Sequence, residues 1–297
     1  MAITSSFFNS YKTFMEQHSH PSTKNWFLMG TPVPLLIILV TYVYFCKSAG
    51  PRFMRDRKPY DLKNVIVVYN IIQVLLSVYI VWVGTPYWIG GKYNFACEPV
   101  GNDYAVQSTV WVYFMCKIIE LLDTVFFVLR KKYNQVSYLH VYHHTLMPIC
   151  AWIGTNFLPG GHGTLLGYIN SFIHIIMYAY YLISSMGPQY QKYLWWKKYL
   201  TSMQLIQFVI IFVHNFQVMF RTCDYPKFIN FLLLSQAAYF LYLFGLFYKK
   251  TYLKNSKTSS NTTKPTNGIK ISDYSKGVIC NGYVASLYAT TGKVKNT

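Results

Sequence analysis

The sequence predicts an all-α, polytopic membrane protein with seven transmembrane helices. Composition is the first reason, since 53% of the residues are hydrophobic and 12% are charged, whereas soluble proteins average about a quarter charged. The second is a series of apolar stretches near the roughly 20 residues that span a bilayer. The third is the concentration of basic residues in alternate loops. These features exclude a soluble protein, and we expect the lipid bilayer, not nucleic acid, as the surrounding partner.

Seven apolar stretches mark the helices in chain order. The first opens with Pro32 and Pro34, and the fourth contains a histidine run and Pro148. Because the N-terminal segment lacks a compact apolar core, we expect no cleavable signal peptide, and the first helix then acts as its own insertion signal. The predicted helices cover residues 31–46, 65–83, 106–129, 139–157, 164–183, 201–220 and 228–248. The chain thus divides into a lumenal segment, 1–30, a seven-helix membrane domain, 31–248, and a tail, 249–297.

Lysine and arginine are strongly biased toward one side of the predicted membrane domain. The net charge is +18, and most of the 27 basic residues fall in the loops and the tail on that side. The positive-inside rule makes this side cytosolic and leaves the N-terminus in the lumen. The basic residues are either simple topology signals or a landing zone for an anionic group such as a phosphorylated cofactor.

Cysteine positions give an independent prediction. In this topology Cys97 and Cys223 lie in non-cytosolic loops, whereas the other cysteines lie in the membrane or the cytosol. An oxidising lumen favours pairing, so we predict a Cys97–Cys223 disulfide, the alternative being two unrelated thiols.

The tail, 249–297, is basic and lacks the apolar periodicity needed to bury a core, so we expect it to be disordered in the cytosol. Its last residues, 293–297, resemble a lysine-based retrieval signal of endoplasmic reticulum membrane proteins. We therefore expect a multi-pass protein of the endoplasmic reticulum membrane.

Four groups of polar residues occur inside the predicted helices at helical spacing. Polar side chains are expensive in a bilayer, so they indicate either function or hydrogen bonds that join helices. At about 100° per residue each group falls on one helix face. The groups are Lys117, Glu120, Asp123 and Thr124; His140, His143 and His144; Asn170, His174, Met177, Tyr178 and Tyr181, with Tyr180 beside them; and Thr201, Gln204 and Gln207.

Depth predicts that the four groups meet. Measured from the cytosolic helix ends at about 1.5 Å per residue, they lie about 5 to 18 Å inside the membrane. The fourth and sixth helices run away from the cytosolic face, while the third and fifth run toward it. We therefore expect one polar chamber in the cytosolic half of the bilayer.

Metal chemistry is one alternative for this chamber. The spacing His-x-x-His-His also occurs in membrane di-iron desaturases and hydroxylases, but those sites need about eight histidines in three boxes. Here His18, His20, His162 and His214 lie outside the chamber. The remaining imidazoles and carboxylates suffice for a single ion, and His143 with His174 for a haem. The reading that we favour has no metal and no bound cofactor.

At these motifs the chain resembles the very-long-chain fatty acid elongases, the condensing enzymes of the endoplasmic reticulum. The resemblance covers nearly all of the membrane domain and implies seven helices, six of which enclose a narrow acyl tunnel. The motifs that carry it read Lys117-Ile-Ile-Glu120-Leu-Leu-Asp123-Thr124, His140-Val-Tyr-His143-His144, Asn170-Ser-Phe-Ile-His174-Ile-Ile-Met177-Tyr178-Ala-Tyr180-Tyr181 and Thr201-Ser-Met-Gln204-Leu-Ile-Gln207.

The resemblance implies a 3-oxoacyl-CoA synthase, an acyltransferase that condenses a long-chain acyl-CoA with malonyl-CoA. The product is a 3-ketoacyl-CoA two carbons longer, released with carbon dioxide and CoA. Neither Cys116 nor Cys150 has an evident base as sequence neighbour, which leaves histidine as the nucleophile. We therefore expect a ping-pong reaction through an acyl-imidazole on His143, with His174 handling a proton or the malonyl unit.

The other residues of the motifs receive supporting roles. Asn170, Gln204 and Gln207 are expected to donate hydrogen bonds to carbonyl oxygens. Lys117, Glu120 and Asp123 are catalytic or form a buried ion-pair network that fixes the histidines. His140 and His144 act in the chemistry or support it. The remaining positions form the substrate pocket: Thr124, Met177, Tyr178, Tyr180, Tyr181 and Thr201.

The expected partners follow from the same resemblance. Candidate contacts for the CoA phosphates are Lys131, Lys132, Lys192, Lys197 and Lys198. A ketoreductase, a dehydratase and an enoyl reductase should complete the elongation cycle in the same membrane, and a homo-oligomer is possible. A non-enzymatic lipid transporter is the remaining alternative, distinguished by its independence of malonyl-CoA.

Overall fold

Helices account for the regular structure of the chain. The computed structural model describes residues 2–253, and no strand occurs in that range. The predicted all-α class is confirmed. In chain order the helices are α1 Ala2–His18, α2 Val33–Tyr44, α3 Gly50–Met54, α4 Lys63–Trp88, α5 Tyr104–Ile119, α6 Leu121–Leu129, α7 Tyr138–Phe157, α8 Thr164–Met186, α9 Lys197–Val218 and α10 Lys227–Tyr248.

Five helical stretches in the described range are long and apolar enough to cross a membrane. They match the first, second, fifth, sixth and seventh predicted helices. α7 coincides with the fourth but carries three histidines, and the third is divided between α5 and α6. The seven-span count therefore stays a prediction. The five stretches are Val33–Met54, Lys63–Trp88, Gly161–Met186, Lys197–Val218 and Lys227–Leu253.

Several predicted boundaries were wrong. The first helix continues past 46 through a π-helical turn, Phe45–Ala49, and α3 to Met54. The wider turn accommodates Pro51, which has no N–H to donate to the preceding turn. α10 continues as a second π-helical turn, Lys249–Leu253, so the first residues of the predicted tail are helical. The rest of the tail, with its retrieval signal, lies outside the described residues.

Six helices form a ring in which each packs on the next. The neighbours run α7, α5, α4, α8, α9 and α10. The ring closes through side chains, since the Tyr142 hydroxyl donates to Gln236 Oε1 at 2.9 Å and the rings of His143 and Phe240 lie 5.3 Å apart. α2 packs against α7 from outside the ring. This arrangement surrounds the polar residues with apolar helix faces.

The outer surface of the ring is suited to lipid. On α4, Val68, Leu75 and Trp82 recur every seven residues and are 57%, 63% and 79% exposed. The opposite face of the same helix buries Tyr69, Gln73 and other residues against α8. A helix with an apolar outward stripe and a polar inward face is typical of a membrane protein that encloses a polar site.

The end of the ring opposite the histidines is tied together covalently. Cys97 and Cys223 form the predicted disulfide, with Cα atoms 5.7 Å apart. Nearby, Asp103 caps α5 by accepting a hydrogen bond from the amide of Ala105, and the Tyr87 hydroxyl donates to its other oxygen. The Tyr87 hydrogen bond is the main cause that holds the pKa of the Asp103 carboxyl below its usual value. The loops at this end are thus fixed relative to the helices.

The segment before α2 is attached to the same end. α1 was not expected from the sequence, and the turn that follows it is held by α7, because Asn156 Nδ2 donates to Ser19 Oγ and the Thr23 hydroxyl donates to the carbonyl of Thr155. The indole of Trp152 also donates to the carbonyl of Leu28. Residues 19–30 therefore cover the end of α7.

Candidate active site

A break in the third predicted helix shapes the centre of the site. α5 ends at Ile119, and α6 begins at Leu121 after a tighter turn in which the Asp123 amide donates to the carbonyl of Glu120. The sequence predicted one continuous helix here. The break separates Lys117 and Glu120 from Asp123 and Thr124, which lie on α6. Lys117 Nζ lies 2.7 Å from Glu120 Oε1, and both residues are 2% exposed. Each charge thus compensates the other inside the protein.

α8 completes this ion pair with two of its predicted site residues. His174 Nδ1 lies 3.1 Å from Glu120 Oε1, and Asn170 Oδ1 accepts from Lys117 Nζ at 2.8 Å. A carboxylate accepts hydrogen bonds, so Glu120 makes Nδ1 the protonated nitrogen of His174. In the neutral ring, Nε2 is then left as the acceptor. This geometry suits a general base or, after protonation, a donor to a carboxylate.

The four polar residues of the third predicted helix do not share one target. Asp123 accepts a hydrogen bond from the Tyr178 hydroxyl at 3.0 Å. Thr124 Oγ1 lies 2.7 Å from His140 Nε2 and is completely buried. α6 therefore supports α8 through one residue and α7 through the next.

The histidines of α7 lie on one side of the helix near its start. Ser137 caps the helix by accepting from the amide of His140 at 3.2 Å. The ring centroids of His140 and His144 are 4.2 Å apart, and those of His143 and His144 are 5.3 Å apart. The ring of Phe240, from α10, lies against His143. The three imidazoles are thus packed together, with His143 nearest to α10.

Two cavities meet at these residues. A polar cavity of about 60 Å³ is lined by members of all four predicted groups, as their depth suggested. A larger, mainly apolar cavity of about 180 Å³ is lined by residues of all six ring helices and reaches Trp88 and Tyr225 at the disulfide end. His143, Asn170, Gln207 and Phe208 line both.

Most of the predicted site residues line the polar cavity. Lys117, Asp123 and Thr124 line neither cavity and lie behind it, so Thr124 supports His140 instead of facing a substrate pocket. Those that do line the polar cavity are Glu120, His140, His143, His144, Asn170, His174, Met177, Tyr178, Tyr180, Tyr181, Thr201, Gln204 and Gln207.

The five lysines predicted to contact CoA differ in position. Lys197, at the start of α9, lines the polar cavity beside Thr201 and Tyr180. Lys131 donates to the carbonyl of Arg55 at 3.1 Å. Neither Lys131 nor the remaining candidates, Lys132, Lys192 and Lys198, lines either cavity.

Several site residues were missed by sequence reasoning. Tyr113 lies one turn before Lys117, its hydroxyl donates to Asn170 Oδ1 at 3.1 Å, and its ring is 4.7 Å from Lys117 Nζ. The i−4 spacing was a usable signal for it. Phe208 and Phe240 carry no such signal, because apolar residues on a membrane helix do not distinguish a cavity from the lipid.

The other histidines form a separate structure. The rings of His162 and His214 stack with centroids 3.7 Å apart, near the disulfide end. This agrees with their predicted exclusion from the chamber. Within residues 2–253, no group of three or more His, Cys, Asp or Glu side chains is arranged to hold a metal ion.

Comparison with known proteins finds one family. Residues 27–260 match the family model described as ELO: GNS1/SUR4 family. The chain is 46% identical over 260 residues to a very long chain fatty acid elongase of Aedes aegypti, covering 85% of this chain and 72% of the relative. It is 43% identical over 267 residues to very long chain fatty acid elongase 7 of Drosophila melanogaster, covering 87% and 80%. The elongase 7 of Rattus norvegicus is 45% identical over 245 residues, covering 80% and 87%.

Proposed function

The chain belongs to the ELO (GNS1/SUR4) family, and from this membership we propose that it is a fatty acid elongase, a very-long-chain 3-oxoacyl-CoA synthase. It condenses a long-chain acyl-CoA with malonyl-CoA to a 3-ketoacyl-CoA two carbons longer. Carbon dioxide and CoA are released. The class of reaction is inferred from the relatives. The two cavities support the mechanism that we propose for this chain.

The position of His143 where the two cavities meet is the observation that carries the proposed mechanism. A saturated acyl chain requires an apolar, water-free space, which the larger cavity offers. A thioester requires hydrogen-bond donors and a nucleophile, which the polar cavity offers. An acyl chain in the larger cavity brings its thioester to His143. The six ring helices then act as the walls of an acyl tunnel.

His143 acts as the nucleophile in two steps. In the first, a ring nitrogen of the neutral imidazole attacks the thioester carbonyl, the C–S bond breaks, and the proton on the other ring nitrogen is lost so that CoA leaves as the thiol. In the second, malonyl-CoA loses carbon dioxide, and the resulting enolate carbon attacks the acyl-imidazole. A C–C bond forms, the C–N bond to the imidazole breaks, and the leaving ring takes up a proton from water, which restores neutral His143 and completes the 3-ketoacyl-CoA.

His174 and the amides of α8 and α9 handle the charges that develop. The Nδ1–H of His174 is directed at Glu120, so its Nε2 faces substrate as a base toward CoA or, once protonated, as a donor to the malonyl unit. Asn170 Nδ2 lies 3.4 Å from Gln207 Oε1, which leaves the NH₂ group of Gln207 to donate to an oxyanion. Gln204, one turn away on the same cavity wall, supplies a second donor.

Among the candidate lysines, the lining of the polar cavity favours Lys197 as the contact for the CoA phosphates. It is the one of the five candidate lysines that lines the polar cavity, at the N-terminus of α9. A helix N-terminus and an ammonium group together suit an anion. The pantetheine arm then enters from the side of Lys197, and the acyl chain extends in the opposite direction.

The membrane arrangement follows from this reading. α7 and the interrupted pair α5–α6 complete the seven spans, since they close the ring together with four of the apolar stretches. The basic side with Lys197 faces the cytosol, and the disulfide faces the oxidising lumen of the endoplasmic reticulum. A ketoreductase, a dehydratase and an enoyl reductase are needed to complete a cycle on the released product.

An assay of purified protein with a panel of long-chain acyl-CoAs and isotopically labelled malonyl-CoA tests the proposal by measuring labelled 3-ketoacyl-CoA. The expected result is labelled 3-ketoacyl-CoA with the wild type, its loss in His143→Ala, and full activity in His18→Ala, a change to an exposed histidine far from the cavities. No product from folded wild type with any acyl-CoA would overturn the proposal. Iron together with oxygen uptake would then favour a desaturase, and acyl movement without malonyl-CoA a transporter.

A further inference from the structure

α2 packs outside the ring, yet one of its residues reaches toward the histidines. Leu35, Leu39 and Tyr42 form the buried face of this helix, spaced at i, i+4 and i+7. No residue of α2 lines either cavity. Packing alone accounts for the two leucines, whereas the hydroxyl of Tyr42 requires a polar partner inside the protein.

The hydroxyl of Tyr42 contacts the Cys46 thiol and Thr124, and through Thr124 it reaches a catalytic-site histidine. Tyr42 Oη lies 2.7 Å from Thr124 Oγ1, which lies 2.7 Å from His140 Nε2. Tyr42 is 5% exposed, Thr124 0% and His140 2%. The three groups form a continuous hydrogen-bonded row, away from water, from an outer helix to the imidazole cluster.

The row constrains the hydrogen bond at Nε2 of His140 and so bears on which nitrogen carries the proton. Thr124 has a single hydroxyl proton, so it accepts one of the two bonds and donates in the other. A phenol is a stronger donor than an aliphatic alcohol. When Tyr42 donates to Thr124, Thr124 donates to Nε2, and His140 keeps its proton on Nδ1. Without Tyr42, the Thr124 hydroxyl is free to accept from His140 instead.

The state of His140 affects the other imidazoles because they are in contact. Its ring centroid is 4.2 Å from that of His144, which is 5.3 Å from that of His143. A change of tautomer at His140 moves a proton from one edge of its ring to the other and alters what the ring presents to His144. Because these rings are in contact away from water, the hydrogen-bonded state of one imidazole changes the electrostatic environment of the next.

We propose that Tyr42 is a positioning residue for the condensing reaction, acting through Thr124 to fix His140 and, with it, the arrangement of the three histidines. This role rests on the proposed function, in which His143 is the nucleophile. It extends the working site to α2. Tyr42 touches no substrate and therefore affects the rate of the chemical step, not the binding of acyl-CoA.

The test compares Tyr42→Phe with Tyr44→Phe in the full-length protein. Tyr44 lies on the same helix and is 59% exposed. Tyr42→Phe keeps the ring and removes only the hydroxyl, and we expect kcat to fall about tenfold with KM for acyl-CoA unchanged. Tyr44→Phe should match the wild type. A kcat for Tyr42→Phe within twofold of the wild type, or a change confined to KM, overturns the positioning role.

A double-mutant cycle separates the relay from a purely structural effect. Thr124→Val removes the middle hydroxyl, so adding Tyr42→Phe should then lower kcat no further. If Tyr42 only stabilises the fold, the two losses multiply, which contradicts the relay. Wild type that makes no 3-ketoacyl-CoA overturns the proposed function and this role with it, whereas active wild type with multiplying losses overturns the relay alone.

Discussion

Replacing Lys117 with methionine tests whether the buried charges hold the site together. Methionine has a similar length and no charge, so Lys117→Met keeps most of the packing. Three contacts are lost: Lys117 Nζ lies 2.7 Å from Glu120, 2.8 Å from Asn170 and 4.7 Å from the ring centre of Tyr113. Glu120 then stays in the interior with only the Nδ1–H of His174 against it.

The expected cost is several kcal/mol. At an effective dielectric constant of about 20, two unit charges at the 2.7 Å separation of Lys117 and Glu120 attract by about 6 kcal/mol. Part of this offsets the cost of removing both groups from water, and breaking such a pair by removing one member typically costs about 3 to 5 kcal/mol. For a domain of this size that lowers Tm by roughly 10 °C. Activity should fall as well, because Asn170 loses Lys117 as a donor and Glu120, which contacts His174, loses its counter-charge.

Thermal unfolding of purified protein in detergent, followed by tryptophan fluorescence, measures the effect. Lys47→Met is the matched control, because Lys47 is exposed on the π-helical turn after α2. Adding Glu120→Gln to Lys117→Met removes the uncompensated charge and should recover part of the lost Tm. A Lys117→Met protein that melts within a degree or two of the control, or a double variant that melts below the single one, would show that the pair does not organise the site.

Three further predictions concern the rest of the molecule. Lys197→Ala should raise KM for acyl-CoA about tenfold or more with little change in kcat, whereas Lys198→Ala should not; equal values in steady-state assays would remove Lys197 from the CoA site. Trp88→Ala should shift products toward longer chains, because Trp88 lines the far end of the large cavity; Trp82→Ala, which alters a residue 79% exposed on the same helix, should leave the product lengths seen by mass spectrometry unchanged. Cys97→Ser should lower Tm, because the disulfide, a cross-link spanning 126 residues, adds at most about 5 kcal/mol to the free energy of unfolding. Wild type that melts identically with and without reductant would contradict this.

The helices were predictable because bilayer-spanning segments have a clear length and composition. The predicted ends of α7 and α8 agree with the structure within a few residues. The third helix was predicted as continuous, since nothing in its apolar pattern announces a break. At the break, the carboxylate of Glu120 is bound by Lys117 of α5 and by His174 of α8. The contact with His174 is tertiary, and the apolar pattern of one helix does not predict it.

The polar residues of the site were predictable for a related reason. A bilayer penalises polar side chains, so each one inside a span carries information, and residues as far apart as Glu120 and Gln204 were grouped correctly around one cavity. The direction in which a side chain points was harder to predict than its depth in the membrane. Thr124 shares a helix face with Glu120 by angle, yet it contacts His140 and Tyr42 and lines no cavity. Tyr42 had no signal at all, since a tyrosine in an apolar helix fits a lipid-facing position equally well.

The proposed mechanism depends on an acyl-imidazole on His143, which mass spectrometry after rapid quenching can detect. The protein is mixed with acyl-CoA in the absence of malonyl-CoA, quenched and digested. We expect CoA to be released in step with the appearance of acyl mass on the peptide that contains His143, and that mass to be lost when malonyl-CoA is added before quenching. No CoA released without malonyl-CoA, or acyl mass on Cys150, the thiol that lines the large cavity, would contradict it.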